Sequence, residues 1–151
     1  MIRRLPLILV VAMSLGTSSG AFAQDRAATP CPMQLQHRSP EQVLEAHLAA
    51  VRSGNAALVA CDYARTAVLI LPGSVAQGPE QIEAAFAGFF QTAGVILSVT
   101  TTSMTAQDGA ILMTYAIDGQ HVVVSAGVDT FVIDKGRIVL QTAYLGGLVP
   151  R

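Results

Sequence analysis

The chain of 151 residues has no tryptophan, three tyrosines, two cysteines and only 13% charged residues. Nine Lys and Arg, scattered along its length against ten Asp and Glu, form no basic stripe for a nucleic-acid backbone and no acidic tail. There is no CxxC, no HExxH and no close His-x-His element. His37, His47 and His121 lie far apart, so neither a structural nor a catalytic metal is expected. Gly73-Ser74 and Gly146-Gly147 lack the lysine and the strand-to-helix setting of a phosphate loop, and no cofactor is expected. No low-complexity tract interrupts the chain, and a 52% hydrophobic content suits one compact domain.

The first 23 residues carry an export pattern. Arg3 and Arg4 precede an apolar run from Leu5 to Leu15, and Ala21-Phe22-Ala23 offers a small-x-small cleavage site. About 11 apolar residues are too few to span about 30 Å of hydrocarbon, so the segment is expected to be a cleaved signal peptide and the mature protein to leave the membrane. Residues 24–38, with prolines on either side of Cys31, have no period and are expected to form an extended leader; residues 39–151 make the domain. The destination is the periplasm or the exterior. Such an oxidising compartment permits a Cys31–Cys61 disulfide tying the leader to the domain; the alternative is two unpaired thiols.

Ser39-Pro40-Glu41-Gln42 has the residues of a helix start, a capping serine, proline at the first helical position and glutamine three after the cap. Val43, Leu44, His47, Leu48 and Val51 recur at helical spacing until Gly54-Asn55, which places His47 on the apolar stripe. Asn55 can cap a short second helix running to Tyr63. Ala67 to Leu71 has the composition of a strand ended by Pro72-Gly73, and Gly78-Pro79-Glu80-Gln81 opens a third helix through Ile82, Phe86, Phe89 and Phe90. Val95 to Thr105, Ala110 to Ile117 and a long hairpin from Val122 to Tyr144 follow with strand periodicity. They are divided by Gln107-Asp108-Gly109, Asp118-Gly119-Gln120 and Asp134-Lys135-Gly136. The predicted fold class is α+β, with three helices packed against a curved, mostly antiparallel sheet that leaves a cone with an apolar floor.

This order of helix, Gly54-Asn55, short helix, Asp62-Tyr63-Ala64, strand ending Leu71-Pro72-Gly73, Gly78-Pro79-Glu80-Gln81-Ile82 and four closing strands resembles the NTF2-like superfamily. It is most similar to the SnoaL-like and steroid delta-isomerase-like branch, from Pro40 to Leu145. The resemblance implies that His47 stands where the isomerases have an oxyanion-binding tyrosine, and that Asp129 matches their protonated aspartic acid. It also implies that Leu71 replaces their general-base aspartate. Leucine takes no proton, so inherited steroid isomerisation is not expected.

The candidate pocket residues are His47, Tyr63, Leu71, Phe86, Phe90, Asp129 and Phe131. Asp129, a carboxylate within an apolar strand, needs either a partner or a proton if it is buried. A His47–Asp129 contact could orient the imidazole for proton transfer or water activation, which makes these two the candidate catalytic residues. Tyr115 and Tyr144 are assigned to the sheet or a dimer surface, and His121 to a solvated hairpin end. The expected function is binding of a small, largely apolar molecule. The alternatives are a cofactor-independent isomerase, cyclase or hydratase using His47 and Asp129, and a non-catalytic dimerisation or interaction domain. Apolar residues on both faces of the late strands lead us to expect a homodimer.

Overall fold

The structure, a computed structural model, describes residues 31, 35 and 37–151. The signal segment 1–23 and most of the leader 24–38 lie outside the described residues. Three helices, α1 (Pro40–Ser53), α2 (Ala56–Cys61) and α3 (Gly78–Ala93), accompany six strands. These are β1 (Tyr63–Leu71), β2 (Ser74–Gln77), β3 (Ile96–Gln107), β4 (Ala110–Gly119), β5 (Val122–Asp134) and β6 (Arg137–Pro150). They form one curved, open sheet in the order β2-β1-β6-β5-β4-β3, in which only the β1–β6 pairing is parallel.

The helix boundaries follow from their caps. Ser39 Oγ accepts from the Gln42 backbone N–H at 3.3 Å, and the Gln42 side chain returns the bond to the Ser39 N–H at 2.9 Å, so the capping box forms. Gly54 ends α1 in the left-handed region at φ 66°. Asn55 caps α2 through the Leu58 N–H at 3.1 Å. The sequence extends α2 to Tyr63, but the helix stops at Cys61. The Asp62 carbonyl there accepts the Ile138 N–H, and Tyr63 enters the sheet opposite Ile138. Tyr63 is therefore the first residue of β1. The four-residue strand β2 has too little pattern to be recognised in the sequence; it pairs back on β1 across the Pro72-Gly73 turn, where Gly73 takes φ 79°.

The closing hairpin is longer than its sequence pattern, because β6 continues past Tyr144 to Pro150 and pairs with β5 back to Val122. Its turn, Lys135-Gly136, has positive φ at both residues, which suits the right-handed twist of its two strands. Alternation places Ile111, Met113, Tyr115 and Ile117 of β4 inward, with Phe131 and Ile133 of β5 and Ile138 of β6 beside them. Helix α1 covers this concave face with Val43, Leu44, His47, Ala50 and Val51, and α3 adds Ile82. Each such large apolar side chain contributes about 1.5–3 kcal/mol by leaving water.

The end of the leader is fastened at the turn end of this hairpin. Cys31 and Cys61 form a disulfide with their Cα atoms 5.4 Å apart. Arg38 donates to Asp62 Oδ1 at 2.6 Å and to the Gly136 carbonyl at 2.9 Å, while Leu35 is buried. Burial raises the Asp62 carboxyl, and Arg38 opposes that shift by hydrogen bonding and charge. Among the described residues, no helix is long and apolar enough to cross a membrane.

Candidate functional site

Between α1, α3 and the concave face of the sheet lies a partly open cavity of about 100 Å³. Leu48 and Val51 of α1, Leu69 and Leu71 of β1, and Ala85, Phe86 and Phe89 of α3 form much of its apolar wall. Among the described residues, the polar side chains that reach it are His47, Tyr115, Asp129 and Gln141; Asp129 is the one carboxylate and no Lys or Arg lines it.

Asp129 sits in the middle of β5, between Met113 of β4 and Ala143 of β6, and is 5% exposed. Its Oδ1 accepts the Tyr115 hydroxyl at 2.9 Å and its Oδ2 accepts Gln141 Nε2 at 2.7 Å. The Gln141 Oε1 in turn accepts the Tyr63 hydroxyl, so one chain of hydrogen bonds runs from β1 through β6 to β5 and β4. Burial pushes the Asp129 carboxyl up to about 7, against the lowering effect of Tyr115, Gln141 and the Tyr144 backbone N–H. Burial, followed by the charge of Asp129, raises the hydroxyls of Tyr63 and Tyr115, which stay protonated as donors.

Gly127 makes the Tyr115 contact possible. It lies opposite Tyr115 on the neighbouring strand, and a Cβ there would clash with the Tyr115 ring. The bare backbone lets the ring lie across β5 and carry its hydroxyl to Asp129, two residues further along.

His47 lies in a different environment. Its ring meets those of Tyr63, Phe86 and Phe131 edge-on, with centroids 5.7, 5.7 and 5.4 Å away, and its Nδ1 is buried without a hydrogen-bond partner. Burial lowers its pKa to about 4, so the imidazole is neutral near pH 7. Among the described residues no direct His47–Asp129 hydrogen bond forms: Asp129 is held by Tyr115 and Gln141, while His47 stands among aromatic rings.

The cavity gathers His47, Leu71, Phe86, Asp129 and Phe131 from the expected set, but neither Tyr63 nor Phe90. Tyr63 is only 1% exposed and acts behind the wall through Gln141. Phe90 packs on Phe86 and Phe89, with centroids 6.0 and 5.7 Å away, because the cavity side of α3 carries Ala85, Phe86 and Phe89. Sequence reasoning missed the roles of Tyr115 and Gln141. Both had a signal: Tyr115 shares the inward parity of Ile111, Met113 and Ile117, and Gln141 falls in step with Ala143 and Leu145 inside an apolar strand. Among the described residues no group of three or more His, Cys, Asp or Glu could hold a metal ion.

Several solved structures share this architecture. A protein with a ketosteroid isomerase-like fold from Catenulispora acidiphila, in complex with trimethylamine, aligns with a TM-score of 0.61 at 15% identity. The alignment covers 70% of this chain and 86% of that one. A proposed polyketide cyclase from Sinorhizobium meliloti aligns at 0.59 and 18% identity, covering 68% and 93%. An LEH-like epoxide hydrolase from M. tuberculosis aligns at 0.56 and 22% identity, covering 70% and 80%. At these identities the likeness concerns the fold, and among curated proteins none matches the sequence. The SnoaL-like domain matches residues 44–141, well over half of the chain and nearly all of the helices and sheet that build the cavity. The chain belongs to the SnoaL-like family.

Proposed function

We propose that the domain binds a small, largely apolar molecule in its cone and holds that molecule's polar group at Asp129. One observation carries this reading: a partly open apolar cavity in which a single buried carboxyl group, set between Tyr115 and Gln141, is the only acidic or basic side chain besides His47 among the described residues. In a methyl NMR titration with cyclohexanol, the resonances of Leu48, Val51, Ala85, Val99 and Leu145 should shift together and saturate, while Leu112 and Val128 on the outer face stay still. Cavity methyls that do not respond, or outer methyls that respond first, would remove the reading.

An enzymatic alternative is favoured by a different observation. A carboxyl group held near 7 in an apolar cavity is matched to proton abstraction or water activation at neutral pH. The fold is shared with a proposed polyketide cyclase and an epoxide hydrolase, which makes cyclisation and hydration the natural classes to test. Asp129 would then be the base, with Tyr115 and Gln141 holding it. Turnover retained by Asp129→Asn would exclude this role.

We also propose export and homodimerisation. The amino-terminal pattern and the Cys31–Cys61 disulfide support a periplasmic or secreted location. On the convex face of the sheet, Leu112, Thr130, Thr142 and Ile70 form one row across four strands, and Thr114, Val128 and Tyr144 form another. Neither row carries a charge, and Tyr144 is 56% exposed. Sedimentation should give a dimer that Tyr144→Asp dissociates; a wild-type protein that stays monomeric at all concentrations would contradict the pairing.

A further inference from the structure

We propose that the cavity selects a small hydrophobic amine, bound as its ammonium ion, with an N–H donated to the Asp129 carboxylate and the hydrocarbon body against the apolar wall. This deepens the ligand-binding reading above and rests on it. The first support is the direction of the hydrogen bonds. Tyr115 and Gln141 both donate to Asp129, one to each oxygen, an arrangement that satisfies a carboxylate acting as acceptor. Above about pH 7, where Asp129 is ionised, whatever meets its remaining lone pairs from the cavity must therefore donate.

The second support is charge. Asp129 is 5% exposed, and among the described residues no cation faces it: the ion pairs are Arg38–Asp62 and Arg151–Asp118, both elsewhere, and no described Lys or Arg lines the cavity. A buried carboxylate with no counter-ion is costly, and the two neutral donors offset only part of that cost. A ligand bringing its own positive charge completes the pair and gains a charge-assisted hydrogen bond. A carbonyl ligand, by contrast, would need Asp129 to hold a proton and to turn it away from the donors it already accepts.

The third support is the wall itself. Phe86, Phe89, Phe131 and Tyr115 put aromatic rings around a space too small for a large ligand. Ring faces attract ammonium groups, and the methylene body of an alkylamine suits Leu48, Val51 and Leu71. His47 does not compete for the carboxylate, since burial keeps it neutral down to about pH 4.

The groups that face Asp129 are Tyr115 from β4, Gln141 from β6 and, from α1 across the cavity, His47; Tyr63 from β1 acts through Gln141. The two tyrosines are raised by burial, and His47 titrates near 4. Asp129 is thus the group among them that titrates between pH 5.5 and 8.5.

The test is calorimetric titration of the protein with cyclohexylamine, cyclohexanol and cyclohexanone at pH 5.5 and 8.5. Cyclohexylamine stays protonated across this range. It should bind roughly tenfold or more tightly than cyclohexanol, more tightly at pH 8.5 than at 5.5, and lose that advantage in Asp129→Asn. Cyclohexanone binding best, and most tightly at pH 5.5, would overturn the amine inference and leave the pocket standing. Equal binding of amine and alcohol, unchanged in Asp129→Asn, would do the same. If none of the three binds, and the cavity-filling Ala85→Phe protein behaves identically, both the amine inference and the pocket reading fail.

Discussion

Asp129→Asn should change the pH dependence of folding stability more than it changes stability at any single pH. Burial raises Asp129 from its ordinary 3.8 to about 7, so between those values the folded protein holds a proton that the unfolded chain has released. Stability therefore falls as pH rises through this window, by about 1.4 kcal/mol per unit and about 4 kcal/mol in all. Burial lowers His47 from 6.5 to about 4, so between those values the unfolded chain holds the extra proton. Stability there rises with pH, by about 3 kcal/mol in all. The two slopes oppose each other over nearly the same range, and in the wild type they nearly cancel from pH 4 to 6.5. Asp129→Asn removes the falling slope and should gain about 3 kcal/mol between pH 4 and 7. His47→Gln removes the rising slope and should lose about 4 kcal/mol between pH 4 and 7.5. Asp62, also raised by burial, is present in all three proteins and drops out of the comparison. Urea denaturation at half-unit pH steps gives the three curves. An Asp129→Asn curve parallel to the wild-type curve from pH 4 to 7 would refute the burial of a titrating carboxyl in the cavity wall.

Three further outcomes test the supports of the site. Arg38→Ala strands the buried Asp62 carboxylate and should cost about 3 kcal/mol in urea denaturation at pH 7, where a surface pair would cost under about 1. Gly127→Ala drives a methyl into the Tyr115 ring and should cost about 1–3 kcal/mol by the same measurement, while shifting the Tyr115 resonances. Reducing the Cys31–Cys61 bridge, which closes a loop at a sequence separation of 30, should cost about 3–4 kcal/mol. Free-thiol counts before and after reductant confirm that the bond was present, and equal stability of both forms would contradict the constraint.

The fold was legible wherever local chemistry and periodicity agreed. Ser39 and Gln42 cap α1, Gly54 ends it, and the alternation of Ile111, Met113, Tyr115 and Ile117 sets the buried face of β4. What escaped depended on partners distant in sequence. Tyr63 leaves α2 for the sheet because Ile138, far along the chain, pairs with it. Phe89 rather than Phe90 faces the cavity because the rotation of α3 is set by what it packs against. Asp129 was legible as an anomaly, a carboxylate in an apolar strand. Strand parity marked Tyr115 and Gln141 as inward, but not that they meet Asp129, since both contacts cross to a neighbouring strand. The expectation that His47 would answer Asp129 came from their matched positions in the resemblance. The aromatic rings around His47 instead hold it as a neutral, buried group.

The central claim is that the cone is a binding cavity with Asp129 in its wall. Anomalous diffraction from crystals soaked in bromocyclohexane tests it most directly, because the bromine locates the ligand without assumption. A bromine peak inside the cavity, within contact of Phe86 and Phe131, is the predicted result. Bromine found only on the convex face of the sheet, with the cavity side chains moved together and no ligand between them, would contradict it.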